Sequence, residues 1–203
     1  MKKYSESFLE YKNSFKDVKE AVNSTDAFFK GKYFYPNSQT DKKFSPPFIP
    51  GQIYSFYYTT KKEIKEKKKY INRNPIVLCT GYFKVDGIGY VLKGIDLIVT
   101  PPKRRNDILT KVFDNYHNVL ERNQESYLKG GNLTPISLED TFLERLFVGT
   151  GYKNSLSVFK LSYIRDVNLI PLEDWCKLPY LKESIVEGLQ TPGIYSEYES
   201  KLI

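Results

Sequence analysis

The chain has 203 residues, 40% hydrophobic and 15% aromatic, which supplies one packed domain and argues against global disorder. Its 31 Lys and Arg against 24 Asp and Glu give a formal charge of +7, unevenly placed: residues 1–110 hold 21 basic and 11 acidic side chains, residues 111–203 hold 10 and 13. No apolar run approaches the roughly 20 residues that cross a bilayer, and Cys79 and Cys176 sit far apart in apolar settings, as buried reduced thiols of a cytosolic product do.

In chain order, Phe8, Tyr11, Phe15, Val18 and Val22 recur at spacings of three and four, predicting one N-terminal amphipathic helix. Its apolar stripe has two possible partners, its own domain or a neighbouring subunit. Residues 23–50 read as irregular, with turn chemistry at Asn23–Asp26 and prolines at 46, 47 and 50. Between them Phe28, Phe29, Tyr33, Phe34 and Tyr35 alternate with Lys30 and Lys32, either as rings pinned into the domain or as a stacking platform.

From Gly51 the period changes. Residues 52–60 and 75–83 read as strands, Val85-Asp86-Gly87 as a turn, 89–92 as the return of a hairpin and 95–99 as a further strand. A lysine-rich loop, 61–69, joins the first two. Thr100 as a capping hydroxyl, followed by Pro101-Pro102, opens a long helix that ends before Gly130-Gly131. A shorter helix is expected over 138–147, a helical start at 157, a returning strand at 167–171, then a turn with a short helix to Leu181 and an extended tail from Gly188.

Motifs of catalysis are missing. The one histidine, His117, has no partner by spacing, and there is no phosphate-binding Gly-rich loop, zinc spacing or G-x-S-x-G elbow. The expectation is a binding protein, not an enzyme, with no catalytic residue, no metal and no cofactor. Asp86, Asp96, Glu139, Asp140 and Glu144 are the acidic residues from which a two-metal nuclease would have to be built.

Two basic features stand out. Lys61, Lys62, Lys65, Lys67, Lys68 and Lys69 can track a phosphate backbone or remain a solvated run. Lys103, Arg104 and Arg105 fall in the first turn of the long helix, where the macrodipole disfavours cations by some tenths of a kcal/mol each. Three cations there predict an anion site, for DNA phosphate or a partner's carboxylate. The alternative is an exposed helix end with no ligand.

Four blocks carry a resemblance: Pro50–Tyr58, Asn74–Leu78, Gly94–Leu97 running into Pro101-Pro102 and Arg105, and Ile170–Trp175. Together they resemble small virion-associated proteins of large tailed bacteriophages of the crAss-like type. The match is discontinuous over 50–175, and Tyr70–Arg73 departs from the aromatic-Asp pair of those proteins. The resemblance implies a ring or adaptor at the head–tail connector or tail, made in the host cytoplasm and carried in the virion. Its partners would be copies of itself, neighbouring virion proteins and DNA, with no membrane and no small-molecule substrate. The alternative function is a DNA-binding protein guarding genome ends, and after it a nuclease. The fold class is α+β: a small antiparallel SH3-like partly open barrel or meander, with inserted helices and an N-terminal amphipathic helix. The expected division is an arm at 1–49, a core at 50–187 and a tail at 188–203. Phe8, Tyr11, Phe15, Val18 and Val22 are the candidate oligomer contact.

Overall fold

The computed structural model describes residues 4–34, 47–58, 74–138 and 155–182. Two helices come first, α1 (Tyr4–Asn13) and α2 (Val18–Lys32), in place of the single helix that the apolar spacing predicts. The break has a local cause. The Asp17 carboxylate accepts the Glu20 N–H at 2.9 Å, while Glu20 reaches back to the Lys16 N–H at 2.9 Å. This reciprocal cap starts a new helix. α2 also takes in residues 23–32, which the sequence pattern reads as irregular.

Strands β1 (Ile53–Tyr58), β2 (Ile76–Val85) and β3 (Gly89–Asp96) form the expected antiparallel meander. Residues 95–99 are not a further strand: Ile95 and Asp96 finish β3, and 97–99 turn toward the long helix. That helix, α3 (Pro102–Leu128), has the expected limits but a different cap. Pro101 stands at the N-cap without a side-chain bond, because the Thr100 hydroxyl donates to the Asp96 carbonyl at 2.7 Å. β4 (Leu156–Lys160) replaces the helical start predicted at 157; it pairs with β3, setting Phe159 opposite Leu92. A 3₁₀ turn (Leu161–Tyr163), β5 (Ile164–Leu169) and a 3₁₀ segment (Leu172–Tyr180) complete the described chain. The helix predicted over 138–147 and the tail from 188 lie outside the described residues, apart from Leu138.

The sheet is antiparallel throughout, in the order β4-β3-β2-β1-β5. β4 and β5 are consecutive in sequence yet occupy opposite edges. The three residues between them let the strand ends lie roughly 14 Å apart at most, so the sheet curls until its two edges approach at that corner. Rings cross the curl: Phe159 of β4 packs edge-on against Phe56 and Tyr58 of β1, each at 5.1 Å. The sheet stays open, since no ladder joins β4 to β5 among the described residues.

Alternation along the strands gives the sheet two buried faces. Tyr54, Phe56, Val77, Cys79, Leu92 and Phe159 fill the inside of the curl. Ile53, Ile76, Leu78 and Ile95 face outward, under Ile108, Leu109 and Val112 of α3, Trp175 and Leu178 of the 3₁₀ segment, and Tyr4 and Phe29 of α1 and α2. The N-terminal helices therefore share a core with the sheet and α3. Burying each such side chain contributes roughly 1.5–3 kcal/mol. Gly94 is required inside the curl: a Cβ there would lie 2.4 Å from Val77 Cγ1 and 2.5 Å from the Leu78 carbonyl oxygen.

Candidate nucleic-acid interface

The helix-start cations separate into two kinds. Lys103 is exposed and Arg104 partly so, as a surface contact requires. Arg105 is fully buried. Its Nε donates to the Thr100 carbonyl at 2.6 Å and Nη2 to the Ile98 carbonyl at 3.0 Å. Its Nη1 donates to the carbonyls of Leu178, at 3.4 Å, and Leu181. These carbonyl dipoles take up the guanidinium, which corrects its reading as a ligand for an outside anion. It joins the start of α3 to the 3₁₀ segment. The fork geometry lets one side chain satisfy several main-chain acceptors at once.

The lysine stretch Lys61, Lys62, Lys65, Lys67, Lys68 and Lys69 lies outside the described residues. Its flanks are Tyr58, which ends β1, and Asn74, just before β2.

The N-terminal stripe folds back on its own chain. Phe8 stacks on Tyr180 with ring centroids 5.5 Å apart, and the Tyr11 hydroxyl meets Thr25 Oγ1 at 2.9 Å. Phe15 packs on Tyr11 at 5.0 Å, Val22 is half-buried, and Val18 is exposed beyond the helix break. The break corrects the reading of the five residues as one continuous stripe, and the contacts of Phe8, Tyr11 and Phe15 are with their own domain, the first of the two partners the pattern allows.

Of the aromatic cluster that follows, Phe29 and Tyr33 are buried and Phe28 and Phe34 pack against the core; Tyr35 lies outside the described residues. Lys30 pairs with Asp26 at 2.6 Å on the helix surface. The cluster is thus pinned into the domain.

Beneath it lies a feature the sequence does not announce. Asp174 is buried, and its carboxylate accepts hydrogen bonds from the Tyr33 hydroxyl, from Lys177 and, at 3.0 Å, from Lys32. Burial alone would raise its pKa, but hydrogen bonds from Lys177, Tyr33 and Lys32 outweigh burial and hold the carboxyl below its ordinary range. The Tyr33 phenol is pushed up, by burial first and then by the Asp174 charge, so it keeps its proton and donates. Lys177 also lies over the Phe28 ring at 4.4 Å. This knot fastens α2 to the 3₁₀ segment. The only hint in sequence is an Asp set beside Trp175, with Lys177 three residues on.

At the tip of the β2–β3 hairpin an exposed aromatic and an exposed basic side chain stand together. Tyr82 and Tyr90 stack with centroids 5.4 Å apart and planes 17° from parallel. Lys84 is directly opposite Tyr90 in the ladder and is exposed. Elsewhere in the sheet, Arg165 of β5 is opposite Tyr57 of β1, and Lys160 lies over the Tyr163 ring at 5.7 Å.

The two described acidic candidates, Asp86 and Asp96, do not come together. Asp96 is buried and its carboxylate accepts the Ile98 N–H at 3.0 Å, whereas Asp86 is exposed in the hairpin turn. β3 separates them by roughly 25 Å of strand, so they cannot share one ion. Glu139, Asp140 and Glu144 lie outside the described residues. Among the described residues no three His, Cys, Asp or Glu side chains group as metal ligands. His117 is exposed beside Phe113. Both cysteines are free thiols, and burial pushes Cys79 up to about 12, far from a reactive thiolate. No described helix is long and apolar enough to cross a membrane.

Among known proteins, the family model described as Phage T4 terminal DNA protecting protein matches residues 6–131. That span holds most of α1, and all of α2, the three-stranded meander, α3 and the lysine-rich stretch. Neither the curated proteins nor the solved structures contain a match to the chain.

Proposed function

The chain belongs to the family of the Phage T4 terminal DNA protecting protein, and on that footing we propose that it binds the ends of linear phage DNA and shields them. The family match over residues 6–131 carries this reading, and the charge distribution supports it. The matched span includes most of the half of the chain that holds 21 basic against 11 acidic side chains.

A protein that guards ends has to act whatever the terminal sequence is. Its affinity must therefore come from sequence-independent contacts, among them contacts to phosphates, which lysines make as mobile point charges and which weaken steeply as salt rises. Lys103, Arg104 and the lysine stretch 61–69 are the residues proposed for that role. Arg105 supports them from inside the fold. The protein works by binding, with no bond made or broken.

The match is to a DNA-protecting protein and not to a connector or adaptor. It therefore favours the end-guarding alternative over the head–tail ring that the sequence blocks imply. Edge strands that are neighbours in sequence, joined by three residues, support reading the sheet as a partly open SH3-like barrel with α3 inserted before its last two strands. The place of action proposed is the terminus of the genome, in the virion or in the host cytoplasm.

The test is competition binding. A labelled linear duplex bound by the full chain is challenged with an excess of the same sequence as an open linear duplex or as a relaxed circle. Open ends should compete far better per nucleotide. Equal competition by the circle would remove the end-binding reading.

A further inference from the structure

We infer that the tip of the β2–β3 hairpin is a stacking surface for the terminal base pair of a DNA duplex, with Tyr90 as the contacting ring and Lys84 beside it for the end phosphates. This rests on the end-binding reading and gives it a site. A duplex hides the flat faces of its bases everywhere except at its ends, so a ring that stacks on a base pair recognises an end and ignores sequence. Each such stack on an aromatic side chain is sequence-tolerant because every base has a π-face.

The hairpin is built to present such a ring. Tyr82 sits opposite Leu92 and Lys84 opposite Tyr90, so the two tyrosines are diagonal neighbours on one face. Buried Phe48 meets Tyr82 edge-on at 5.6 Å, which backs the inner ring with the core. Tyr90 stacks on Tyr82 and has no other ring neighbour among the described residues. It remains 48% exposed, as a ring with one face covered and the other open does. Lys84 leaves the same face of the ladder, is exposed, and forms no ion pair among the described residues. Asp86, exposed in the turn beyond, would repel phosphate, so the strand ends are expected on the Lys84 side.

A diagonal tyrosine pair also stabilises a hairpin without binding anything, and the experiment separates the two roles. Affinity of the full chain is measured for a short duplex with open blunt ends and for the same duplex sealed at both ends by hairpin loops. Tyr90→Leu keeps apolar bulk on the hairpin but has no π-face. It should lose roughly tenfold in affinity for the open duplex, the value of about one base stack, and nothing for the sealed one. Tyr90→Phe should keep wild-type behaviour on both. The slope of affinity against salt should stay at its wild-type value in Tyr90→Leu and fall by about one in Lys84→Ala. A Tyr90→Leu protein that keeps the full preference for open ends overturns the inference and leaves end-binding intact. Wild-type protein that binds open and sealed duplexes alike overturns both.

Discussion

The guanidinium of Arg105 donates to the carbonyl of Leu181, joining the first turn of α3 to the end of the 3₁₀ segment. A cation that looks like part of a surface cluster is thus an interior tie. Arg105→Met should destabilise the fold by about 3 kcal/mol, because the carbonyls of Ile98, Thr100, Leu178 and Leu181 lose their donor inside the core. Urea denaturation of the variant reads this directly. A loss of DNA binding in Arg105→Met would then reflect unfolding rather than a missing phosphate contact.

Lys103 and Arg104 should behave in the opposite way. Lys103→Ala and Arg104→Ala are expected to leave the denaturation midpoint within about 0.5 kcal/mol of wild type. Each should lower the slope of log affinity against log salt by about one. Binding titrations at a series of salt concentrations check both. A slope unchanged in the double variant would remove the start of α3 from the DNA interface.

Asp174 predicts an acid limb in stability. Its carboxyl is held below the ordinary range in the fold, so its contribution is complete above about pH 4, the unfolded value. It is lost as pH falls through the lower folded-state value. Asp174→Asn should cost about 3 kcal/mol at neutral pH by leaving Lys32 and Lys177 without their carboxylate. It should also flatten the fall in stability below pH 4. Denaturation midpoints from pH 2 to 7 give both quantities.

Gly94 tests the curl of the sheet. Gly94→Ala places a methyl group against Val77 and the Leu78 backbone and should cost about 2–3 kcal/mol. Gly87→Ala is the control. It has a φ of +75° in the hairpin turn but nothing within 4 Å of a Cβ, so it should cost about 1 kcal/mol, from backbone strain alone. Thermal or urea unfolding of the pair ranks them.

Much of this fold is legible from local pattern. The aromatic and β-branched runs in 52–58 and 76–83 mark β1 and β2, and Pro102 with the apolar face from Ile108 to Leu120 marks α3. The burial of Arg105 was also available in phase: 105, 108, 109 and 112 lie on one helical stripe, while 103 and 104 fall off it. A run of three basic residues hides that phase, because composition draws the eye before periodicity does. The N-terminal break was likewise written in Asp17-x-x-Glu20, a capping signal that outweighs a continuous apolar stripe. β4 was not legible, since Ser157–Lys160 becomes a strand by pairing with β3, a tertiary contact with no local mark. The Asp174 knot joins residues more than 140 positions apart and leaves no spacing to read.

Protection itself is the most direct test of the central claim. A linear duplex is incubated with the full chain and then with an exonuclease that degrades from duplex ends, beside a nicked circle cut by an endonuclease as control. The account predicts that the linear duplex survives when the protein is stoichiometric with ends rather than with nucleotides, and that raised salt abolishes the effect. Cleavage of the circle should be unaffected. Digestion of the linear duplex at the rate seen without protein, at low salt and with ends saturated, would contradict it.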